Sequence, residues 1–313
     1  MKDKVTIIGA GNVGSTLAMR LAEADVADVM LVDVVPGLAK AKALDLEDAS
    51  YIIGHECKIS GCDDFEAMRD SKIIVVTAGF PRLPSMTRDD LLKKNAEVVK
   101  DVVLKIKKLA PNAIVIMVTN PLDAMTYLAY KLSGFNAGRV MGLSGVLDSA
   151  RLAAVIHKKA RLKNKKDVQG LIIGAHNDTM AVVFSKTYAN GAPLASVFNE
   201  SDLDEIRKLT ADRGAQIVAL LQKGSAYYAP SAGCFAMART ILKNEQKTLV
   251  VSAYLSGQYA IKDMCIGVPA LLGAGGIEKI IEIDLSKKEK DAFLSSAESV
   301  RQGIEKMQPY LTE

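Results

Sequence analysis

Apolar residues in the first 120 positions alternate between short continuous runs and longer segments with helical spacing. A run that is apolar on both faces is typical of a strand covered on both sides, as in a parallel sheet between two layers of helices. The predicted strands are residues 4–8, 29–34, 73–78 and 113–119, and the clearest predicted helices are 9–24 and 87–110. This order of strands and helices predicts a doubly wound sheet of the Rossmann type.

The pattern changes after about residue 144, where helices and strands no longer alternate regularly. Predicted helices there are 147–159 and 201–221, and predicted strands are 170–175, 182–188, 248–255 and 264–268. A closing helix begins at Ser286, which forms a capping-box pattern with Glu289. We therefore expect an α/β fold in which a Rossmann-type doubly wound parallel sheet is followed by an α+β substrate domain. The expected domains are residues 1–144 and 145–313, closely packed because no flexible linker separates them.

The composition of the chain argues against several classes of protein. The 313 residues are 49% hydrophobic, and 40 basic and 36 acidic side chains are spread along the chain. No basic block marks a nucleic-acid binder, and no run reaches the ~18 apolar residues of a membrane helix. The first apolar run is too short for a signal peptide, so we expect a cytoplasmic protein without a membrane or nucleic-acid partner. The four cysteines lack paired metal-site spacing, and we expect no metal.

A glycine motif lies directly between the first predicted strand and helix. It runs Gly9-Ala10-Gly11-Asn12-Val13-Gly14, and Asp33 ends the next strand 19 residues further on. Glycines at these positions allow a tight turn, close approach of a pyrophosphate, and close packing of helix on strand. The helix N-terminus offers N–H groups to phosphate, and an acidic residue can bond the ribose hydroxyls. The negative charge of Asp33 would repel a 2′-phosphate, which favours NAD over NADP.

Polar residues that can carry chemistry stand at strand ends and on one helix. Arg82 and Arg88 lie in the loop after the strand at 73–78, and Asn120 follows the next strand. Asp148 and Arg151 have i, i+3 spacing on one helix, and His176 ends a strand in the second half of the chain. Taken singly, such residues are more often structural than catalytic. Their combination behind a dinucleotide-binding motif favours a catalytic role.

The same stretches resemble a known family over essentially the whole chain. They are similar to motifs of the lactate/malate dehydrogenase superfamily, and within it to malate dehydrogenases of the lactate-dehydrogenase-like type. The stretches are GAGNVGS, TAGFPRLPSMTRDDLL, VTNPLD, MGLSGVLDSAR, GAHNDTM, GSAYYAPSA and GVPALLGAGGIEKIIEIDL. The resemblance implies an enzyme that transfers a hydride between NAD and a small 2-hydroxy acid.

The resemblance also implies roles for particular residues. His176 would be the general acid/base and Asp148 would hold its ring. Arg151 would bind the C1 carboxylate, and Arg88 would polarise the reacting carbonyl while residues 80–90 act as a lid. Asn120 would bond the substrate oxygen. The cofactor contacts implied by the resemblance, together with the glycine motif and Asp33, are Asn95, Val118, Thr119 and Asn120.

Arg82 matters most for the choice of substrate, because lactate dehydrogenases are similar but commonly carry glutamine there. An arginine would pair with a second carboxylate, as in malate or oxaloacetate. A buried dicarboxylate needs more than one cation, and Arg82, Arg88 and Arg151 supply three. Pyruvate would leave Arg82 without a partner, which is costly. The sequence therefore predicts reversible oxidation of (S)-malate to oxaloacetate.

Two alternatives remain at this stage: a lactate dehydrogenase or broader 2-oxoacid reductase, and a non-catalytic NAD-binding scaffold. The sequence also departs from the usual pattern. Leu83 and Ser85 stand where Lys and Gly are expected, and Ala175 and Asn177 flank His176 where glycines are usual. Asn tolerates left-handed backbone, so we expect the turn at His176 to survive. The resemblance implies a homo-oligomer, either dimer or tetramer; the segment 36–50 is either an interface or an ordinary amphipathic helix.

Overall fold

The computed structural model describes residues 2–81 and 86–311, apart from the side chain of Arg88. The strands are β1 Lys4–Ile8, β2 Asp28–Val32, β3 Ile59–Cys62, β4 Ile73–Val76, β5 Ile114–Met117, β6 Val140–Leu143, β7 Val168–Gln169, β8 Ile172–Ile173, β9 Ala181–Val182, β10 Tyr188–Ala189, β11 Ala192–Pro193, β12 Lys247–Ser256, β13 Lys262–Gly273 and β14 Gly276–Ile280. The helices are α1 Asn12–Glu23, α2 Leu38–Ile53, α3 Arg88–Leu109, α4 Leu122–Ser133, α5 Gly145–Lys159, α6 Leu194–Val197, α7 Glu200–Ala211, α8 Arg213–Leu221, α9 Tyr228–Leu242 and α10 Lys287–Glu305.

One sheet of nine strands forms the centre of the molecule. Its order is β14-β13-β12-β6-β5-β4-β1-β2-β3, and the pairs from β6 to β3 are all parallel. The order 3-2-1-4-5-6 of the first six strands is that of a doubly wound dinucleotide-binding sheet. The predicted fold class is confirmed. The strands β2, β4 and β5 end two residues earlier than predicted, so the polar residues that follow β4 and β5 lie in loops at their carboxyl ends.

Both faces of the parallel strands are covered, as their continuous apolar runs predict. Ile7 of β1 packs in the same cluster as Leu17 and Leu21 of α1. The next residue, Ile8, belongs to the cluster on the other face, with Val99 and Ile106 of α3. Since side chains alternate along a strand, each strand contributes to two cores. This arrangement holds the carboxyl edge of the sheet in a fixed position between two helical layers.

Helices α3 and α10 both begin at a capping box, of which the sequence predicts the one at Ser286. Thr87 Oγ1 accepts from the backbone N–H of Asp90 at 3.0 Å, and the Asp90 carboxylate accepts from the N–H of Thr87 at 3.1 Å. Ser286 and Glu289 form the same reciprocal pair at the start of α10. A capping box satisfies two helix-terminal donors at once, which explains why α3 and α10 begin where the sequence predicts.

The second half of the chain departs from the predictions in several places, and the predicted strand 170–175 is reduced to the two residues of β8. The segment 182–188 is not one strand, because a 3-10 turn over Phe184–Lys186 separates β9 from β10. The segment 201–221 is two helices, α7 and α8, joined at Asp212. Helix α9 is missed altogether, because its opening residues include Pro230; proline is tolerated there, in the first helical turn.

The domain division at residues 144 and 145 stays a prediction. It falls between β6 and α5, but the central sheet continues across it. Val251 and Ser252 of β12 pair antiparallel with Leu143 and Gly142 of β6. The strands β12 to β14 therefore extend the sheet of the first half of the chain.

Helix α10 closes the core, and it offers a test of how much this packing contributes. Phe293 is 1% exposed and its ring lies 5.2 Å from that of Tyr259. The next residue, Leu294, is 43% exposed. Replacing Phe293 by Ala leaves a cavity, and we expect the free energy of unfolding in urea to fall by about 3–5 kcal/mol. The matched Leu294→Ala change should cost less than about 1 kcal/mol; equal losses would contradict this account of the core.

Candidate active site

The glycine motif forms the predicted tight turn between β1 and α1. Gly9 has φ +106°, and a Cβ there would lie 2.6 Å from Thr77 Oγ1. A Cβ on Gly14 would lie 1.9 Å from the carbonyl oxygen of Gly9, so the helix packs directly on the turn. At Gly11, in contrast, no atom of the described residues lies within 4 Å of the Cβ position. The turn is therefore tight on its inner side and open at Gly11, as approach of a pyrophosphate requires.

Asp33 lies beside this turn at the end of β2. Its Oδ2 accepts from the backbone N–H of Ala10 at 2.7 Å, and its Oδ1 accepts from the N–H of Val35 at 3.0 Å. The carboxylate is thus held by backbone groups and is half-buried. This position is the one expected for a group that bonds the ribose hydroxyls.

Two neighbouring cavities lie along the carboxyl edge of the parallel strands. One, of about 570 Å³, runs from the glycine turn past Asp33 to α3. The other has a volume of about 390 Å³ and includes His176. It is lined by Val13, Thr77, Gly79, Phe80, Pro81, Leu91, Val118, Thr119, Asn120, Leu143, Leu147, His176, Ser225, Ala226 and Pro230. Thr77, Gly79 and Phe80 line both cavities, so a long two-part ligand can span them.

The loops after β4 and β5 are tied together by Asn95 of α3. Its Oδ1 accepts from the N–H of Phe80 at 2.7 Å, and its Nδ2 donates to the carbonyls of Phe80 and Asn120 at 3.2 and 2.6 Å. Thr119 adds a bond from Oγ1 to the carbonyl of Ala78 at 2.6 Å. Asn95 is 1% exposed. Its carboxamide therefore shapes the walls of the cavity, whereas Asn120 is exposed to it.

The predicted acid/base residues come together from two elements. Nδ1 of His176, in the turn after β8, lies 2.7 Å from Oδ2 of Asp148 on α5. Nη1 of Arg151, one helical turn along α5, donates to Oδ1 of Asp148 at 3.3 Å. The Asp148 side chain is 2% exposed, while those of His176 and Arg151 are slightly exposed. The i, i+3 spacing thus places one buried carboxylate between a histidine and an arginine.

The charge of Asp148 also shifts the protonation of His176. Burial alone would lower the pKa of His176, but the charge and hydrogen bond of Asp148, with a further contribution from Asp123, outweigh it. The pKa of His176 is therefore raised above its ordinary 6.5. Since Nδ1 faces Asp148, Nε2 is the nitrogen left for a reacting group.

The turn that carries His176 is held by bonds from several elements. Gly174, with φ +93°, exchanges two backbone hydrogen bonds with Gly267 of β13. The N–H of Ala175 donates to Ser296 Oγ at 2.8 Å, and Asn177 Oδ1 accepts from the N–H of Thr179. The turn does survive, but Gly174 supplies the left-handed backbone. Asn177 is not among the positive-φ residues of the described chain.

Four residues singled out in the predicted substrate loop lie wholly or in part outside the described residues. Arg82, Leu83 and Ser85 lie outside the described residues. Arg88 is the first residue of α3, and its side chain is likewise outside the description. Their roles stay predictions.

Sequence reasoning missed several residues that line the cavity with His176. Ser225 and Ala226 come from the segment before α9, and Pro230 comes from its first turn; the motif GSAYYAPSA that contains them carries the family resemblance without an assigned role. Leu143 ends β6 and Leu147 lies in the first turn of α5. Both are apolar, so nothing in their chemistry marks them as cavity residues. Only the position of these residues at a strand end and beside the Asp148 helix turn could have singled them out.

A separate group of possible metal ligands lies away from this cavity. Asp25, His55 and Cys57 bring one ligand atom each to within 4.8 Å of one another. Asp25 Oδ1 is already bonded by the N–H groups of Glu56 and Cys57 and paired with the ammonium of Lys2. The buried Cys57 thiol donates to the carbonyl of Ala22, and burial raises its pKa. These hydrogen bonds and this ion pair hold the loop at residues 55–57 in place. The prediction that the protein has no metal site stays as it was.

Together, the doubly wound sheet, the open glycine turn and the histidine–carboxylate pair define a dinucleotide-dependent oxidoreductase. Residues 3–142 match the model of the lactate/malate dehydrogenase NAD binding domain, and residues 145–310 match that of the lactate/malate dehydrogenase alpha/beta C-terminal domain. The chain belongs to the lactate/malate dehydrogenase family.

Individual relatives agree with this assignment. The malate dehydrogenase of Methanosarcina mazei is 43% identical over 305 residues, which cover 97% of this chain and 99% of that protein. The crystal structure of Cryptosporidium parvum malate dehydrogenase is 40% identical with a TM-score of 0.96, covering 99% of this chain and 100% of that one. The lactate dehydrogenase of the same organism, complexed with lactic acid and NAD, is 33% identical with a TM-score of 0.94, covering 97% and 98%.

The open space at Gly11 allows a direct test of the dinucleotide site. A Gly11→Val side chain would occupy the path of the pyrophosphate without meeting described atoms of the protein, so we expect NADH to bind at least tenfold more weakly with little loss of stability. Gly275→Val is the matched control, because its Cβ position is also clear of the described residues. Fluorescence titration of NADH measures both variants. Wild-type affinity in Gly11→Val would mean that the dinucleotide does not pass this glycine.

Proposed function

We propose that this protein catalyses the reversible NAD-dependent oxidation of (S)-malate to oxaloacetate. The observation that carries the proposal is the His176–Asp148 pair, at 2.7 Å, beside the cavity that adjoins the glycine turn. The family membership supports the reaction class, and relatives at 41–45% identity are named malate dehydrogenase. A non-catalytic scaffold would have no use for a buried carboxylate that raises the pKa of a histidine in the cavity.

In this reaction His176 moves the proton. In malate oxidation the neutral Nε2 takes the proton of the C2 hydroxyl, and Asp148 stabilises the imidazolium that results. The glycine turn and Asp33 would hold NAD, which would supply the hydride acceptor for C2. In the reverse direction His176 begins protonated, which its raised pKa favours, and returns the proton to the carbonyl oxygen. Asn120, exposed in the same cavity, is positioned to bond the substrate oxygen.

The arginines provide the proposed substrate selectivity. Arg151 is the one whose position the structure describes: it lies against Asp148, with its guanidinium near Gly214 of α8. We assign it to the C1 carboxylate, Arg88 to the reacting carbonyl and Arg82 to the second carboxylate. Two carboxylates entering a closed site need this much positive charge, since an unpaired buried charge is strongly unfavourable.

A substrate comparison tests the proposal. NADH consumption should be much faster with oxaloacetate than with pyruvate at equal concentration. Arg82→Gln should lower kcat/KM for oxaloacetate by about 100-fold or more, since the second carboxylate loses its partner, and should move the preference toward pyruvate. Arg207→Gln, at an exposed arginine on α7, is the matched control and should change neither rate.

The outcomes separate the competing functions. A wild-type preference for pyruvate would favour a lactate dehydrogenase or broader 2-oxoacid reductase. NADH binding without turnover of either acid would favour the scaffold.

We further propose that the protein is a homo-oligomer, a dimer or a tetramer, with α2 at an interface. The outer end of this helix exposes large apolar side chains: Tyr51 is 88% and Ile52 is 87% exposed, and Leu44 and Ile53 are also exposed. Helix α8 has a second exposed apolar set at Val218, Leu220 and Leu221. Groups of exposed large apolar side chains on one helix are typical of protein–protein contacts.

The oligomer has a simple test. Light scattering after size exclusion should give a mass of two or four chains for the wild type. Ile52→Glu places a charge in the proposed contact and should lower the mass toward one chain, whereas Glu47→Gln on the same helix should not. A wild-type protein of one chain at micromolar concentration would contradict the proposal.

A cytoplasmic location also stays a proposal. All four cysteines are free thiols, and three of them are buried, which suits a reducing compartment. Among the described residues, none of the helices has the length and apolar character needed to cross a membrane.

A further inference from the structure

A second buried carboxylate, Asp123, lies behind the proposed acid/base residue. It stands in the first turn of α4 and is 6% exposed. Its Oδ2 accepts from the backbone N–H of His176 at 2.8 Å, and its Oδ1 accepts from Ser252 Oγ of β12 at 2.7 Å. Burying a carboxylate is costly even when it is hydrogen-bonded, and none of the reaction steps above uses this one.

We propose that Asp123 is a positioning residue for the reaction, which fixes the backbone of His176 and adds a negative charge behind its ring. The proposal rests on the proposed function, since it assumes that His176 is the acid/base. In this proposal α4 positions the backbone of the acid/base residue. Neither the glycine motif nor the His176–Asp148 pair does so.

The geometry places His176 between two anchors. Asp148 of α5 holds its ring at Nδ1, and Asp123 of α4 holds its backbone. The turn after β8 is held at Gly174 and Ala175 by β13 and α10, and the bond to Asp123 fixes the backbone of His176 itself. The Asp123 carboxylate is itself bonded to Ser252 of β12 in the central sheet. It therefore fixes the backbone of His176 relative to that sheet.

The same carboxylate links the acid/base to the residue proposed to bond the substrate. Asp123 lies three residues after Asn120, at the start of the helix that follows β5. The carbonyl of Asn120 is held by Asn95 at 2.6 Å. The segment from Asn120 to Asp123 thus contains one of the two residues and bonds the backbone of the other. We expect it to control the distance between Asn120 and His176. Reaction rates depend steeply on such separations.

The charge of Asp123 acts in a crowded electrostatic setting. The charged and titratable groups that face it are His176, Asp148 and the buried thiol of Cys265 on β13, while Arg151 acts on the same histidine. Burial raises the pKa of Asp123 and the charge of Asp148 adds to this, but the N–H of His176 and the hydroxyl of Ser252 oppose both. Each oxygen accepts a hydrogen bond, and the first turn of a helix favours negative charge, so we assign the ionised form.

The experiment replaces Asp123 by Asn. The amide has the same shape, and it can keep both contacts if the Ser252 hydroxyl turns to accept, so the variant removes the charge with little change in packing. We expect kcat to fall about tenfold with KM for oxaloacetate nearly unchanged. We expect the pKa of His176 to fall by about one unit, because a nearby negative charge favours the imidazolium.

The midpoint of the pH–activity profile should move to lower pH in both reaction directions. Oxaloacetate reduction needs protonated His176, so its activity should be lost at lower pH than in the wild type. Malate oxidation needs neutral His176, so its activity should appear at lower pH. Profiles of kcat/KM report these midpoints for the free enzyme.

Thr126→Val is the matched control on the same helix. Thr126 is fully buried and its hydroxyl bonds the carbonyl of Leu122, so the change disturbs α4 without touching the carboxylate. It should lower stability and leave the pH midpoint in place. If Asp123→Asn behaves like Thr126→Val, with lost stability and an unmoved midpoint, Asp123 has only a structural role and the proposal is overturned.

Two further measurements keep the test decisive. The chain has three histidines, so the imidazole proton signals of His176 can be assigned with His176→Asn and titrated by NMR without any turnover. A shifted titration in a protein that reduces neither 2-oxoacid would refute the proposed function while leaving the charge effect of Asp123 in place. If Asp123→Asn does not fold, Ser252→Ala decides: we expect kcat several-fold lower, and unchanged kcat with unchanged His176 titration would overturn the proposal.

Discussion

The burial of the Asp148 carboxylate is the constraint on which the candidate site depends. A carboxylate that is 2% exposed is stable as an anion only if positive or donating groups surround it. His176 and Arg151 supply them, one from a turn after β8 and one from the next turn of α5. The second half of the chain therefore has to bring this turn against α5 before the site exists. The bonds that hold Gly174 and Ala175 to β13 and α10 do this.

The strands β1, β2, β4 and β5 were predictable because their physical rules are local, whereas β3, β6 and α4 were missed. A short run that is apolar on both faces gives a covered strand, and glycine spacing between strand and helix gives the turn. The capping-box pattern at Ser286 and the predicted helix start at residue 87 both agree with the structure. The pairing of Asp148 with Arg151 also follows from helical spacing alone.

The rest depends on contacts between distant parts of the chain. Asn95 shows the difference: its buried carboxamide bonds the backbones of Phe80 and Asn120, and the sequence did not predict these bonds. Asp123 is a second case, since its partners lie 53 and 129 residues further along the chain. Neither periodicity nor spacing contains such pairings. The two-residue strands β7 and β11 escape prediction for a related reason, because so few residues carry no readable period.

The bond between Asp33 and the glycine turn has a consequence for any attempt to change the cofactor. The carboxylate that would repel a 2′-phosphate also accepts the N–H of Ala10, within the turn that receives the pyrophosphate. The Asp33 side chain thus controls two properties at once: the choice between NAD and NADP, and the shape of the turn that receives the phosphates. Exchanging Asp33 for a small neutral residue removes the repulsion but also frees a backbone donor in the cradle. A redesigned site would need a new acceptor for that donor, so cofactor preference in this protein is not a single-residue trait.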